Sequence, residues 1–122
     1  MFTRLKAWYR RSTAKPVKLA GLSFPVLFLP EPHLFQHGIE LVNDDKTPML
    51  FVVKALHEHA GVSEGDASVA MGMCHSLGGI VVPMDTLQAA EQAAAYISEA
   101  AREAGFPLVC RRVGAGVSTG SA

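Results

Sequence analysis

The stretch LVNDDKTPML, residues 41–50, decides the fold because it joins an apolar strand to the start of a helix. Just before the loop, Ile39 and Leu41 alternate onto one face, as expected for a short strand. Thr47 is a good N-cap, and Pro48 suits the first helical position, where its missing N–H costs nothing. The sequence therefore predicts a strand, a polar loop and a helix in that order.

Two helices are predicted after this loop. The first repeats apolar residues at helical spacing from Met49 to Ala60 and ends at Gly61. In the second, Ser63 resembles the N-cap of a capping box with Asp66. Either Gly78 or Gly79 could end the second helix. Its predicted inner face consists of Ala67, Ala70, Met71 and Cys74.

Three further elements complete the predicted domain. They are a β-branched strand over 80–82 that Pro83 stops, an alanine-rich helix capped by Asp85 or Thr86 that Gly105 ends, and a strand over 108–110. The order is β-α-α-β-α-β. We expect an α+β domain of two layers, in which a three-stranded antiparallel sheet carries the helices on one face.

Composition indicates one globular domain with an uneven charge distribution. The chain has 122 residues, of which 49% are hydrophobic and 18% are charged. Residues 1–37 hold six basic residues against one acidic residue, a net charge of +5, and the remainder carries −5. We expect a basic, largely flexible extension over 1–37, a folded domain over 38–113 and a disordered tail over 114–122. The extension could contact an acidic partner or serve only as a soluble leader.

Cysteine usage and hydropathy favour a cytoplasmic protein. Cys74 and Cys110 alone make no disulfide scaffold, although their pairing stays open, and a reducing compartment is the simpler interpretation. The apolar segment LAGLSFPVLFL, residues 19–29, is too short to span a bilayer as a helix and is interrupted by Pro25. No small-residue cleavage site follows it, so a secretory signal is not expected.

The loop residues Asn43, Asp44 and Asp45 form a cluster of hydrogen-bond acceptors. Such a cluster suits a metal ion, a Lys or Arg side chain, or the α-amino group of a peptide. It lacks the spaced ligands and late Glu of a calcium loop, and His57 and His59 point to different helix faces. No nucleophile and base stand out, so neither a metal, a cofactor nor an enzymatic activity is expected. The carboxylates could also simply cap the helix.

Three segments of the sequence resemble the ClpS family of adaptor proteins. They are LVNDDKTPMLFVV (41–53), AMGMCHSLGG (70–79) and PLVC (107–110), and the resemblance covers about residues 38–113. It implies the same β-α-α-β-α-β fold. It also implies a non-enzymatic adaptor that presents bacterial N-end-rule substrates to a ClpA-type AAA+ unfoldase of the ClpAP protease, with no nucleic-acid or membrane partner.

The resemblance also implies a binding site. Asn43, Asp44 and His75 would hold the free α-amino group of a substrate whose first residue is Leu, Phe, Tyr or Trp. Met49 would act as a gate against β-branched residues, and Asp45 would shape the loop. The pocket for the first side chain would be lined by Thr47, Pro48, Met49, Val52, Met71, Cys74 and Leu108.

The sequence departs from the family pattern in three places. Cys74 stands where an aliphatic residue is common. The third helix, part of the unfoldase-docking surface in the family, keeps Glu91 but has Gln88 and Ala93 in place of charged residues. The leader is longer and more basic than a flexible delivery tail, and its apolar segment could instead pack on the domain.

Two alternatives to delivery stay open on the sequence alone. One is a protein that binds the unfoldase and modulates or inhibits it without delivering substrates. The other is a relative of the ribosomal stalk C-terminal domain that binds another partner, although an acceptor cluster with His75 is not needed there.

Overall fold

A computed structural model describes residues 15–114 of the chain. A short 3₁₀ helix, Pro32–Leu34, precedes the main elements. These are β1 (His37–Val42), α1 (Met49–His59), α2 (Glu64–Leu77), β2 (Gly79–Met84), α3 (Leu87–Ala104) and β3 (Val109–Gly114). The predicted α+β class and the β-α-α-β-α-β order are confirmed.

The sheet is antiparallel and has β1 in its centre, in the strand order β2-β1-β3. Leu41 of β1 lies opposite Ile80 of β2 and Cys110 of β3. One face of the sheet packs against the helices and makes the main core. This core takes in Ile39 and Leu41 from β1 and buried residues of the three helices, among them Leu56, Ala67, Ala70, Ala90, Ile97 and Ala101.

Local sequence signals begin and end α2 and α3 at the expected residues. The Ser63 hydroxyl accepts a hydrogen bond of 3.1 Å from the Asp66 N–H and so caps α2. The Thr86 hydroxyl accepts one of 2.9 Å from Ala89 and caps α3. Gly78 and Gly105 follow these two helices with φ of 91° and 82°, a left-handed conformation that suits glycine.

The start of α1 differs from the prediction by one residue. Pro48 is itself the N-cap, in an extended conformation with φ −62° and ψ 141°, and the helix begins at Met49. The Pro48 carbonyl accepts from Phe51 at 3.0 Å. Thr47 does not cap the helix because its hydroxyl donates to Asp44 instead. The Thr47 hydroxyl can either cap the helix or bond to Asp44, and here it bonds to Asp44.

Pro83 does not stop β2, contrary to the prediction. It lies within the strand and pairs with Gly38 of β1. The N–H and C=O of Val81 point away from β1, toward the outer edge of the sheet, where they bond to Pro25 and Leu27. Pro83 is two residues further along and has the same orientation, so its missing N–H removes no bond to β1.

Residues 17–29, here called the strap, run along this outer edge. Val17 and Val26 exchange hydrogen bonds of 2.9 and 2.8 Å, and Val26 makes a parallel bridge to Val81. The Val81 N–H donates to Pro25 at 2.8 Å, and the Leu27 N–H donates to Val81 at 2.9 Å. The strap thus adds a short strand-like segment beside β2.

The leader also covers the sheet face opposite the helices. A second apolar cluster there joins residues of the leader to Val81 of β2 and Val113 of β3; the leader residues are Leu22, Val26, Leu29 and Phe35. The expectation of a largely flexible extension is therefore wrong for the strap, and the alternative that its apolar segment packs on the domain holds. The expectations for residues 1–14 and 115–122 lie outside the described residues.

A buried ion pair lies on that same face of the sheet. Glu40 of β1 is fully buried, and its Oε2 accepts hydrogen bonds from Nε and Nη2 of Arg111 at 2.8 and 2.7 Å. Its Oε1 is buried and has no hydrogen-bond partner within residues 15–114. Position 40 alternates away from the helix core, so this carboxylate needs Arg111 from the neighbouring strand to offset its desolvation.

Candidate functional site

The loop between β1 and α1 is built around the carboxylate of Asp44. Its Oδ1 accepts from the backbone N–H groups of Lys46 at 2.8 Å and Thr47 at 2.7 Å. Its Oδ2 accepts from the Thr47 hydroxyl at 2.9 Å. An Asp that bonds the backbone two and three residues ahead closes a tight turn. The carboxylate is therefore held in one orientation.

These contacts also set the charge of Asp44. Burial by itself raises the pKa of this carboxyl, but it is outweighed by the N–H groups of Thr47 and Lys46, the Thr47 hydroxyl and the charge of Lys46. The pKa of Asp44 is consequently lowered from its ordinary value. The group is an anion at neutral pH, with acceptor capacity left on Oδ2.

A cavity of about 350 Å³ opens between this loop and the helices α1 and α2. Its size lies in the range of small-molecule and peptide side-chain sites. The cavity brings together nine of the ten residues predicted for the amine site and the pocket, along with two more loop residues. Its lining residues are Asn43, Asp44, Asp45, Lys46, Thr47, Pro48, Met49, Val52, Met71, Cys74 and His75.

Burial separates the lining into a floor and a rim. Val52 and Cys74 are 7% and 4% exposed and form the apolar floor. Met49, at the first position of α1, is 49% exposed, and His75 in the last turn of α2 is also exposed. An apolar floor beneath a rim with acceptor groups suits a ligand that has a hydrophobic body and a cationic head.

Asn43 is tied to the far end of α2. Its N–H donates to the Gly78 carbonyl at 3.0 Å, while the Gly78 N–H donates to Cys74 at 3.0 Å and ends the helix. Asn43 and His75 are 32 residues apart in sequence, and this pair of hydrogen bonds brings their elements to the same cavity.

Cys74 serves the cavity as an apolar wall. Burial first, and then the negative charge of Asp44, raise the pKa of its thiol to about 11. The thiol donates a weak hydrogen bond to the Leu41 carbonyl at 3.8 Å. A thiol that stays protonated near pH 7 is a poor nucleophile, so Cys74 contributes shape to the cavity.

The structure does not bring Leu108 to the cavity. Leu108 is 8% exposed and packs in the main core, so it is absent from the lining. Lys46, which the sequence reasoning did not single out, does line the cavity. Its position in the NDDK loop was the available signal, because a short loop presents its successive residues to the same space.

The predicted docking residues lie elsewhere, on α3. Gln88 and Glu91 are exposed near the start of this helix, and the Glu91 carboxylate lies 3.7 Å from Nε of Arg112. Ala93 is 1% exposed and belongs to the core. Its side chain therefore offers nothing to an incoming partner, whatever residue relatives carry there.

Other features of the described residues do not compete with this cavity. A second cavity, of about 90 Å³, lies among Phe28, Val62 and Met84 and holds none of the predicted site residues. Over residues 15–114, no group of three or more His, Cys, Asp or Glu side chains could hold a metal ion. No helix in that range is long and apolar enough to cross a membrane.

Comparison with known proteins identifies a family. Residues 35–111 match the family model described as ATP-dependent Clp protease adaptor protein ClpS. The chain is 37% identical over 73 residues to the ATP-dependent Clp protease adapter protein ClpS 1 of Bradyrhizobium diazoefficiens, covering 60% of this chain and 72% of the relative. It is 38% identical over 73 residues to the protein of that name from Rhodopseudomonas palustris, covering 60% and 71%.

A solved structure is similar as well. It is that of Agrobacterium tumefaciens ClpS2 bound to L-phenylalaninamide, with a TM-score of 0.56 and 29% sequence identity. The similarity covers 66% of this chain and 96% of that one. The ligand in that structure has a free α-amino group and an aromatic side chain, the two chemical features that the rim and floor of the cavity suit.

Proposed function

The chain belongs to the ClpS family of Clp protease adaptors, and from that membership we propose that it binds proteins through a free α-amino group and a bulky hydrophobic first residue. The adaptor would then deliver these proteins to a ClpA-type AAA+ unfoldase for degradation. Family membership removes the ribosomal stalk alternative. One observation carries the proposal: a single cavity is lined by acceptor side chains, among them Asn43, Asp44 and His75, and has an apolar floor.

The acceptor groups match the chemistry of an ammonium. An α-amino group has an ordinary pKa near 8 and is mostly charged at pH 7. It has three N–H donors, each of which needs an acceptor when water is removed. Asn43, Asp44 and an unprotonated ring nitrogen of His75 would supply three. Asp44 would also neutralise the charge, since its pKa is held low.

The floor of the cavity would hold the first side chain of the substrate. Burial of a Leu or Phe side chain against Val52, Met71 and Cys74 contributes roughly 1.5–3 kcal/mol. Each hydrogen bond to the ammonium contributes roughly 1.5–3 kcal/mol. After the cost of association, a dissociation constant of about 1 μM, near −8 kcal/mol, is expected.

The proposed partners follow from the family and the charge pattern. An unfoldase would dock on the exposed start of α3, with Gln88 and Glu91 as contact residues. The substrates would be proteins with N-terminal Leu, Phe, Tyr or Trp. We propose a cytoplasmic location for this work, consistent with two free cysteines among the described residues.

Packing of the strap favours the alternative of binding without delivery. A delivery tail has to reach the unfoldase, and residues 17–29 are held on the sheet by backbone and apolar contacts. If those residues stay bound, the strap itself cannot extend to the unfoldase. The two functions differ in outcome, since a modulator would bind N-degron peptides and the unfoldase but would not increase substrate degradation.

Fluorescence anisotropy with a labelled peptide that begins with Phe tests the proposal. The same peptide with an acetylated N-terminus is the control for amine recognition. We expect micromolar binding of the free peptide and none of the acetylated peptide. Asp44→Ala should also abolish binding, while an unchanged circular dichroism spectrum shows that the variant is folded. Binding that survives acetylation would refute amine capture. Degradation of a Phe-initiated substrate by a ClpAP protease, with and without the adaptor, then separates delivery from modulation.

A further inference from the structure

An aromatic ring of the strap lies directly on a glycine of β2. A Cβ atom at Gly79 would lie 2.7–2.8 Å from three carbons of the Phe24 ring, closer than any real contact. A Cβ atom at Gly78 would lie 3.8 Å from the same ring. Phe24 packs against the second apolar cluster. The ring can approach the backbone this closely only because residue 79 has no side chain.

The backbone under this ring is the part of the chain that assembles the amine site. The Gly78 carbonyl accepts the Asn43 N–H at 3.0 Å, and the Gly78 N–H ends the helix that carries His75. Gly79 pairs with Val42, the residue directly before Asn43. A shift of the two glycines would therefore move Asn43 relative to His75.

We propose that Phe24 is a positioning residue for the amine site, acting through Gly78 and Gly79. The ring packs against the backbone on the sheet face opposite the helices, and this contact fixes the distance between Asn43 and His75. The inference rests on the proposed function, because it assumes that these two residues bind the ligand. Coupling of this kind is reciprocal, so bound ligand would also hold the strap in place.

The leader offers a matched control at the other end of β1. A Cβ atom at Gly38 would lie 2.9 Å from Cε1 of Phe35, so this ring also packs on a glycine. Gly38 lies five residues before Asn43, a distance of roughly 17 Å along a strand. Phe35→Ala thus removes the same kind of contact, from the same cluster, without touching the backbone that holds the site.

The first arm of the test needs no ligand. Amide hydrogen exchange, followed by NMR in the full chain, reports on the Asn43 N–H and its bond to Gly78. We expect Phe24→Ala to speed exchange at Asn43 by about tenfold relative to Phe35→Ala, with each rate referred to the global stability of its own variant. Equal rates in the two variants would overturn the proposal and leave Phe24 a packing residue only.

The second arm measures affinity for the Phe-initiated peptide. We expect Phe24→Ala to weaken binding about fivefold or more, while Phe35→Ala leaves it unchanged. Affinity that falls equally in both would contradict the inference. If the unaltered chain does not bind the peptide, the proposed function fails, and the exchange at Asn43 still decides the role of Phe24.

A substitution at the glycine provides a third variant that keeps the strap sequence intact. Gly79→Ala places a methyl group where the ring lies and should push Phe24 away. In the Phe24→Ala background that methyl group has room. We expect Gly79→Ala to speed exchange at Asn43, and the double variant to show no greater effect than Phe24→Ala. Additive effects would mean that the glycine and the ring act separately. Should Phe24→Ala unfold, Phe24→Leu with Gly79→Ala gives the same comparison.

Discussion

The hydroxyl of Thr47 donates a hydrogen bond of 2.9 Å to the Asp44 carboxylate, whose other oxygen already accepts two backbone N–H groups. Thr47→Val keeps the shape of the side chain and removes that donor. We expect a loss of about 1 kcal/mol in stability and a several-fold weaker peptide affinity, because the Asp44 carboxylate loses one of the three contacts that orient it. Urea denaturation and peptide titration measure the two effects. Thr47→Ser retains the hydroxyl and should restore both, and a Thr47→Ser variant as weak as Thr47→Val would contradict the assignment.

Acid should remove the contribution of Asp44 to stability. Its pKa is lower in the folded chain than in the unfolded one, near 3.9. The stabilisation is therefore fully present above the unfolded value and is lost as the pH falls through the folded value. We expect the stability difference between the unaltered chain and Asp44→Asn to be constant above about pH 5 and to shrink below about pH 4. Thermal unfolding of both proteins across pH 3–7 tests this prediction. A stability difference that grows as the pH falls would contradict it.

Removal of Arg111 should leave the Glu40 carboxylate buried without a partner. Breaking a buried ion pair costs about 3–5 kcal/mol, and Arg111→Met should lie near the lower end because the arginine side chain is 54% exposed. Replacing both groups with apolar residues is often neutral. The double variant Glu40→Leu/Arg111→Met should therefore recover most of the lost stability in urea denaturation. If the double variant is as unstable as Arg111→Met, the loss comes from packing of the arginine and not from the unpaired charge.

The two cysteines should be unreactive in the folded protein. Burial, then the charge of Asp44, raise the pKa of Cys74 to about 11, and burial, then the charge of Glu40, raise that of Cys110 to about 12. At pH 8 we expect almost no labelling by iodoacetamide in native buffer and two labels per chain in 6 M urea, counted by mass spectrometry. The Phe-initiated peptide should not change labelling if Cys74 is closed off before ligand binds. Fast labelling of Cys74 alone would show that the floor of the cavity opens.

Met49 at the rim should restrict which first residues enter. It is 49% exposed and stands at the entrance to a floor made of Val52 and Cys74. Met49→Ala should admit peptides that begin with Val or Ile, with a gain of roughly 1–3 kcal/mol, and should change the affinity for Leu much less. Anisotropy titrations of Val-, Ile- and Leu-initiated peptides give the comparison. Unchanged discrimination in Met49→Ala would remove Met49 from the proposed gate.

Local sequence signals predicted most of the secondary structure and most of the cavity. Ser63, Thr86, Gly78 and Gly105 act within one turn of their own position, so their roles can be read directly from the sequence. Thr47 was misplaced because its hydroxyl can either cap the helix or bond to Asp44, and sequence alone does not rank the two. The cavity residues came from a family resemblance, and all of those except Leu108 line it.

The leader shows why the rest could not be predicted. Its apolar run has no helical or strand period that would indicate a packing partner. Its contacts join residues that are far apart in the chain, such as Phe24 and Gly79, which are separated by 55 residues. The contact between Phe24 and Gly79 has no sequence signature, because Phe24 lies in what looks like an ordinary loop and Gly79 at an ordinary strand end. The sequence predicts a strand end at Pro83 because the outer edge that this residue faces is defined only by the strap.

The pairing of Val26 with Val81 has a consequence for where the chain can be cut. The family match begins at residue 35, after the strap, so a fragment chosen from that match would leave one side of β2 with bare N–H and C=O groups. A bare strand edge next to an uncovered apolar face is a template on which a second copy can add its own strand. A fragment that keeps this edge of β2 covered therefore begins near Val17, eighteen residues before the start of the family match.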